Sequence, residues 1–157
     1  MNDALDNLQA SILDKLLDDE PDRPLESARH RQVSFAEIRA SVIRDIENLL
    51  NTRRSVLAVP DTLPQVTRSL HVYGLRDFSN ENPSSSIVIQ KLRREVVQTL
   101  NLFEPRLKNV VVQIENRSGD RNLHFRIAGT LVITPLSEPV VFDTLFDANR
   151  GEYVISS

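Results

Sequence analysis

Apolar residues recur every three or four positions along the first two thirds of the chain and every second position along the last third. Helices are therefore expected first and strands after them. Leu5, Leu8, Ile12 and Leu16, joined by Leu13 and Leu17, give a short amphipathic helix over residues 4–17. A helix of that length is marginal alone in water, so its stripe must dock, either on its own domain or on a partner protein. The polar, proline-containing residues 18–24 read as a linker behind it, dividing the chain into an N-terminal helix and linker (1–32) and a main domain (33–157). Ser34 and Glu37 have capping-box spacing and start a second helix. Its stripe of Phe35, Ile38, Val42, Ile46 and Leu49 runs to about Asn51 and leaves Arg39, Arg44, Asp45 and Glu47 on a solvated outer side. Residues 52–82 lose periodicity and gather Pro60, Pro64 and Gly74, which predicts a long irregular connection with one helical turn near 65–70. Asn82-Pro83 then suits the start of another helix, with Ile89, Leu92, Val96, Leu100 and Phe103 as its buried face.

From residue 110 the period changes to two. Val110, Val112 and Ile114 alternate with Val111, Gln113 and Glu115, and residues 116–120 read as a hairpin connection. The returning strand sets Leu123, Phe125, Ile127, Leu131 and Ile133 on one face and His124, Arg126, Thr130 and Thr134 on the other. Pro135 and Pro139 are expected to bracket a break before a third strand from Val140 to Phe146, and Asn149-Arg150-Gly151 turns into a short fourth around 153–155. The expected class is α+β: an antiparallel sheet of about four strands in the C-terminal half, packed on two main helices, plus the short N-terminal helix. The C-terminal strands are short and not blunted by lysine or an internal proline. They offer a partner strand an edge, unless the 52–82 connection covers it.

Helix gives way to strand at Phe103-Glu104-Pro105-Arg106-Leu107. Pro105 disfavours helical backbone at Glu104, and an extended chain would put Phe103, Pro105 and Leu107 inward and the Glu104/Arg106 pair outward or into a polar crevice.

Composition narrows the chemistry. A chain of 157 residues with 22 acidic and 19 basic side chains carries a net charge near −3, which gives no general electrostatic reason to bind nucleic acid or anionic membrane. Without tryptophan, and with few other aromatics, a stacking platform for single strands is not expected either. No apolar run approaches the roughly 20 residues of a membrane helix, and the acidic start lacks the features of a signal peptide. A cytoplasmic protein with no direct membrane insertion is expected. The lack of cysteine agrees with a reducing compartment and excludes disulfides and thiolate metal sites. Gly74, Gly119, Gly129 and Gly151 are too isolated for a phosphate loop, and His30, His71 and His124 lie in no metal-binding pair. No cofactor is expected. Glu95, Glu104, Glu115 and Asp143 offer carboxylates for a glycosidase pair, but Arg106 beside Glu104 favours the ionised form, the wrong direction for a general acid.

Glu104-Pro105-Arg106, following an amphipathic helix and preceding a valine-rich strand, resembles the E-P-R motif of the lysozyme-related tail baseplate family. Further similarities are Asp45-Ile46-Glu47-Asn48-Leu49-Leu50-Asn51-Thr52-Arg53-Arg54, Tyr73-Gly74-Leu75-Arg76-Asp77-Phe78, and Phe142-Asp143-Thr144 ahead of Gly151. They span about residues 33–155. The resemblance implies structural work in the cytoplasmic baseplate of type VI secretion systems or contractile phage tails, at the inner membrane in the former. It implies partner binding by Glu104, Pro105 and Arg106, with TssF, TssG and TssK as baseplate partners and TssB and TssC as the sheath proteins whose assembly it helps start. It implies no enzymatic activity; the alternative is a peptidoglycan-cleaving hydrolase, as the family name suggests. Under the first reading, charge reversal at Glu104 should block assembly and leave the fold intact. A third possibility is that the two charges only pair with each other, Arg94 or Lys108 to steady the turn.

Overall fold

The computed structural model describes residues 11–16, 33–57, 59–60, 62–78, 81–82, 85–116, 122–134, 136–147 and 150–156. Among them are three α-helices, α1 (Ile12–Leu16), α2 (Phe35–Asn51) and α3 (Ser86–Phe103), and four strands, β1 (Leu107–Asn116), β2 (Leu123–Ile133), β3 (Leu136–Asp147) and β4 (Glu152–Ser156). The strands form one antiparallel sheet in the order β1-β2-β3-β4. The α+β architecture expected from the two periodicities is therefore present. Of the N-terminal amphipathic pattern, residues 4–10 and 17 lie outside the described residues, as do the 18–24 linker and the 117–120 part of the hairpin connection.

The capping box starts α2. Glu37 N–H donates to Ser34 Oγ (3.2 Å), and Ser34 N–H donates to Glu37 Oε2 (2.6 Å), so two orphan donors are satisfied reciprocally. α3 begins later than the Asn82-Pro83 signal suggests, with Ser85 at the N-cap position; Pro83 itself lies outside the described residues. Val42, Ile46, Leu49 and Leu50 of α2 and Leu92, Val96 and Leu100 of α3 pack on the inner sheet face of Val112, Phe125, Ile127, Leu131 and Phe142. Burying each large side chain of this kind contributes about 1.5–3 kcal/mol, and this single layer supplies the core. On the opposite sheet face Val111, Val141 and Val154 remain exposed.

The connection between α2 and α3 carries two single-turn 3₁₀ helices, Val66–Arg68 and Leu70–Val72, where one turn was expected. Its ends are pinned. Leu75 N–H donates to Thr52 O (2.9 Å) and Arg54 N–H to Leu75 O (2.8 Å), an approach that only glycine permits at position 74, where φ is +95° and a Cβ would collide with the Thr52 carbonyl. Arg54 and Arg76 then both donate to Glu95 of α3, a carboxylate almost fully buried between them.

The sheet edges are treated unequally, and the C-terminal edge is not the open one. Asn51 of α2 donates to Tyr153 O (2.9 Å) and accepts from Tyr153 N–H (2.7 Å), while Glu47 accepts from Ile155 N–H (2.8 Å). Side chains of α2 thus stand in for a neighbouring strand and cap β4, a role that neither the strand pattern nor the connection announces. Because Tyr153 points its backbone groups away from β3, its partner Phe146 must point its own toward β2, and the alternation sends the ring nitrogen of Pro139 outward. Pro139 therefore costs the sheet no hydrogen bond. This is why β3 starts at Leu136 and runs through Pro139 opposite Thr130, instead of breaking between the two prolines. The same alternation carried across β2 turns the backbone groups of Val112, Ile114 and Asn116 out of the sheet, beyond a bulge at Asn109, where φ is +54°. Among the described residues, this half of β1 is an edge without a cap.

Candidate functional site

The helix-to-strand corner is a tight turn. Glu104 N–H makes the last helical bond of α3 to Leu100 O (2.8 Å), and the backbone then leaves helical geometry, as a following proline requires. Leu107 N–H donates to Glu104 O (3.1 Å), which puts Pro105 at the second position of a β-turn, where its fixed φ is already suitable. Within such a turn strict in–out alternation fails. Leu107 is buried and Phe103 half-buried, its ring edge-on to Tyr73 at 5.1 Å, as expected; Pro105, however, is the exposed tip, and Glu104 is buried to 3% exposure.

Glu104 and Arg106 meet each other first. Arg106 donates from Nε to Glu104 Oε1 (2.7 Å) and from Nη2 to Oε2 (2.6 Å), a two-pronged fork, and its backbone N–H adds a third bond to Oε1 (3.2 Å). Beyond that pair, Nη2 reaches Asp45 Oδ2 (2.6 Å) and Nη1 reaches Ser41 Oγ (3.3 Å), both on α2. One turn of α2 continues the chain of charge: Arg44 donates to Asp45 Oδ1 (3.0 Å) and to Asp14 Oδ1 of α1 (2.6 Å), while Ser41 Oγ donates to Asp14 Oδ2 (2.9 Å). The pairing with Arg94 or Lys108 considered for the two charges does not occur; α2 supplies the partners.

The electrostatics follow from these contacts. Hydrogen bonds to Glu104 raise the Arg106 pKa above its already high value despite burial, with the charges of Glu104 and Asp45 adding to the effect. At Asp14 burial pushes the pKa up, but hydrogen bonds from Ser11, Arg44 and Ser41 outweigh it and bring the carboxyl down to about 2. Tyr73 is pushed up by burial and by the negative charges of Asp45 and Glu104. Both Glu104 oxygens accept from one guanidinium, and the residue is shielded from solvent. Among the described residues no group of three or more histidine, aspartate or glutamate side chains could hold a metal ion, and no helix is long and apolar enough to cross a membrane.

Sequence reading singled out Glu104, Pro105 and Arg106, and the structure brings them together; it missed Asp14, Ser41 and Asp45. A signal was present. Ser41, Arg44 and Asp45 sit at spacing i, i+3, i+4, a polar band beside the α2 apolar stripe; the pattern reading places Arg44 and Asp45 in solvent and leaves Ser41 aside. The burial of Glu104 also changes what charge reversal there would do, since it would now strand Arg106 inside the fold as well as alter the surface.

A family model described as baseplate wedge protein gp25 matches residues 36–136, more than half of the chain. The chain belongs to this family. The match takes in α2, the connection, α3, the Glu-Pro-Arg turn, β1 and β2, and so every member of the ionic cluster except Asp14. The gp25-type wedge proteins are structural parts of phage-tail-type baseplates, and this protein is one such component. No curated protein matches the sequence.

Proposed function

We propose that this gp25-family protein is TssE, the wedge subunit of a cytoplasmic type VI secretion baseplate assembled at the inner membrane. The acidic sequence ahead of residue 33, similar to that of TssE proteins, favours that system over a phage tail. In this reading it joins TssF and TssG, with TssK beside them, and gives TssB and TssC a sheet on which the first sheath ring starts. It acts by binding, not by hydrolysis. The observation that carries the reading is the Glu-Pro-Arg turn inside the family match: a buried fork holds the backbone rigid and leaves Pro105 projecting as the tip. A turn whose side chains are locked from behind meets a partner without first having to be ordered.

Glu104 serves as the clamp, and Pro105 and the open side of Arg106 make the contact. Pro105→Glu, a change at an exposed tip that gives up only the preset φ of the turn, should lower stability by no more than about 1 kcal/mol. The same variant should fail to retain a purified TssF–TssG pair that the wild-type chain retains. Equal capture by both proteins, or no capture by the wild type, would sink the reading.

A further inference from the structure

Besides the local bonds from Ser11 (Oγ 2.6 Å, N–H 3.2 Å), Asp14 accepts from two donors one turn apart on α2, Ser41 Oγ at 2.9 Å and Arg44 Nη2 at 2.6 Å. Residues at that spacing share a helix face, so together they form a notch shaped for one carboxylate. It adjoins the Glu-Pro-Arg turn, because Ser41 Oγ also accepts from Arg106 Nη1 (3.3 Å). Arg44 also donates to Asp45 (3.0 Å), a second anchor independent of α1, and its side chain is 37% exposed, open to an approaching group. Two apolar side chains of the element that fills the notch, Ile12 and Leu16 of α1, are 79% and 76% exposed and so bring little burial to the docked state.

We infer that the Ser41/Arg44 notch is a binding site for an acidic side chain of a neighbouring wedge subunit, and that Asp14 occupies it as an internal stand-in until that subunit arrives. The exchange replaces one carboxylate by another on the same two donors and releases α1. Only the identity of the partner rests on the wedge reading above; the notch itself is built from α1 and α2. An internal occupant lowers the apparent affinity for a competing ligand by the fraction of time the site is filled, so its removal should tighten binding.

The test is calorimetric titration of the full chain with the TssF–TssG pair. Asp14→Asn is expected to tighten binding about three- to ten-fold, and Arg44→Gln to weaken it at least about ten-fold. Ser41→Ala, which removes one donor and no charge, should also weaken binding, and melting curves on all variants separate loss of a donor from loss of the fold. Wild-type or weaker affinity in Asp14→Asn overturns the notch and leaves the wedge reading standing, as does a tighter Asp14→Asn with Ser41→Ala and Arg44→Gln both unchanged. No binding by the wild type or any variant overturns both.

Discussion

At Glu104 three donors of one arginine converge on one buried carboxylate, and a fourth contact from that arginine crosses to Asp45 on α2. Removing the charge from such a group leaves its partner only partly satisfied, which is more damaging than removing both. Arg106 keeps Asp45 and some access to water, so the loss falls short of that for a fully buried pair. Glu104→Gln should therefore destabilise the isolated protein by about 2–3 kcal/mol, read as a lower urea midpoint at unchanged slope. A shift below about 0.5 kcal/mol would mean that the fork is no more than a surface pair. This residue's part in assembly can be separated from its part in folding only by comparison with Pro105, which carries no such internal duty.

Elements were legible where their periodicity was long and their caps were local. α2 came from Ser34, Glu37 and a stripe of apolar residues, and β2 from clean alternation over 123–133. What escaped were contacts between elements far apart in sequence. The 102 positions between Asn51 and Tyr153 leave no trace in a local pattern, yet this pair decides which sheet edge is closed. Pro139 misled for the same reason: whether a proline breaks a strand depends on which side its nitrogen faces, and that is set by pairing partners. The candidate site was half legible, since Glu104, Pro105 and Arg106 lie together in the chain while Asp14, Ser41 and Asp45 join them only through the fold. The cap on β4 is itself testable. Asn51→Ala should cost about 1 kcal/mol and open the edge, so amide exchange at Tyr153 should quicken markedly while exchange in the middle of β2 scales only with that global loss. Unchanged exchange at Tyr153 would show that Asn51 does not cap the strand.

In the whole molecule, α2 ties the parts together: its inner stripe packs the sheet, Asn51 and Glu47 close β4, and Ser41, Arg44 and Asp45 hold the Glu-Pro-Arg turn and α1. With β4 capped and the free stretch of β3 blunted by Pro139, the backbone groups open to a strand from another protein among the described residues lie on β1, at Val112, Ile114 and Asn116. If the sheet starts the sheath, that edge is where it does so. Ile114→Pro tests this directly. Its amide points out of the sheet, so proline deletes a donor offered to the partner and none that β2 uses; the domestic loss is the packing of one half-buried side chain, about 1–2 kcal/mol. The variant should fold, capture TssF and TssG as the wild type does, and fail to start polymerisation of TssB and TssC. Sheath growth at the wild-type rate from baseplates carrying Ile114→Pro would place the sheath contact elsewhere, on the exposed Val111/Val141 face or outside the sheet altogether.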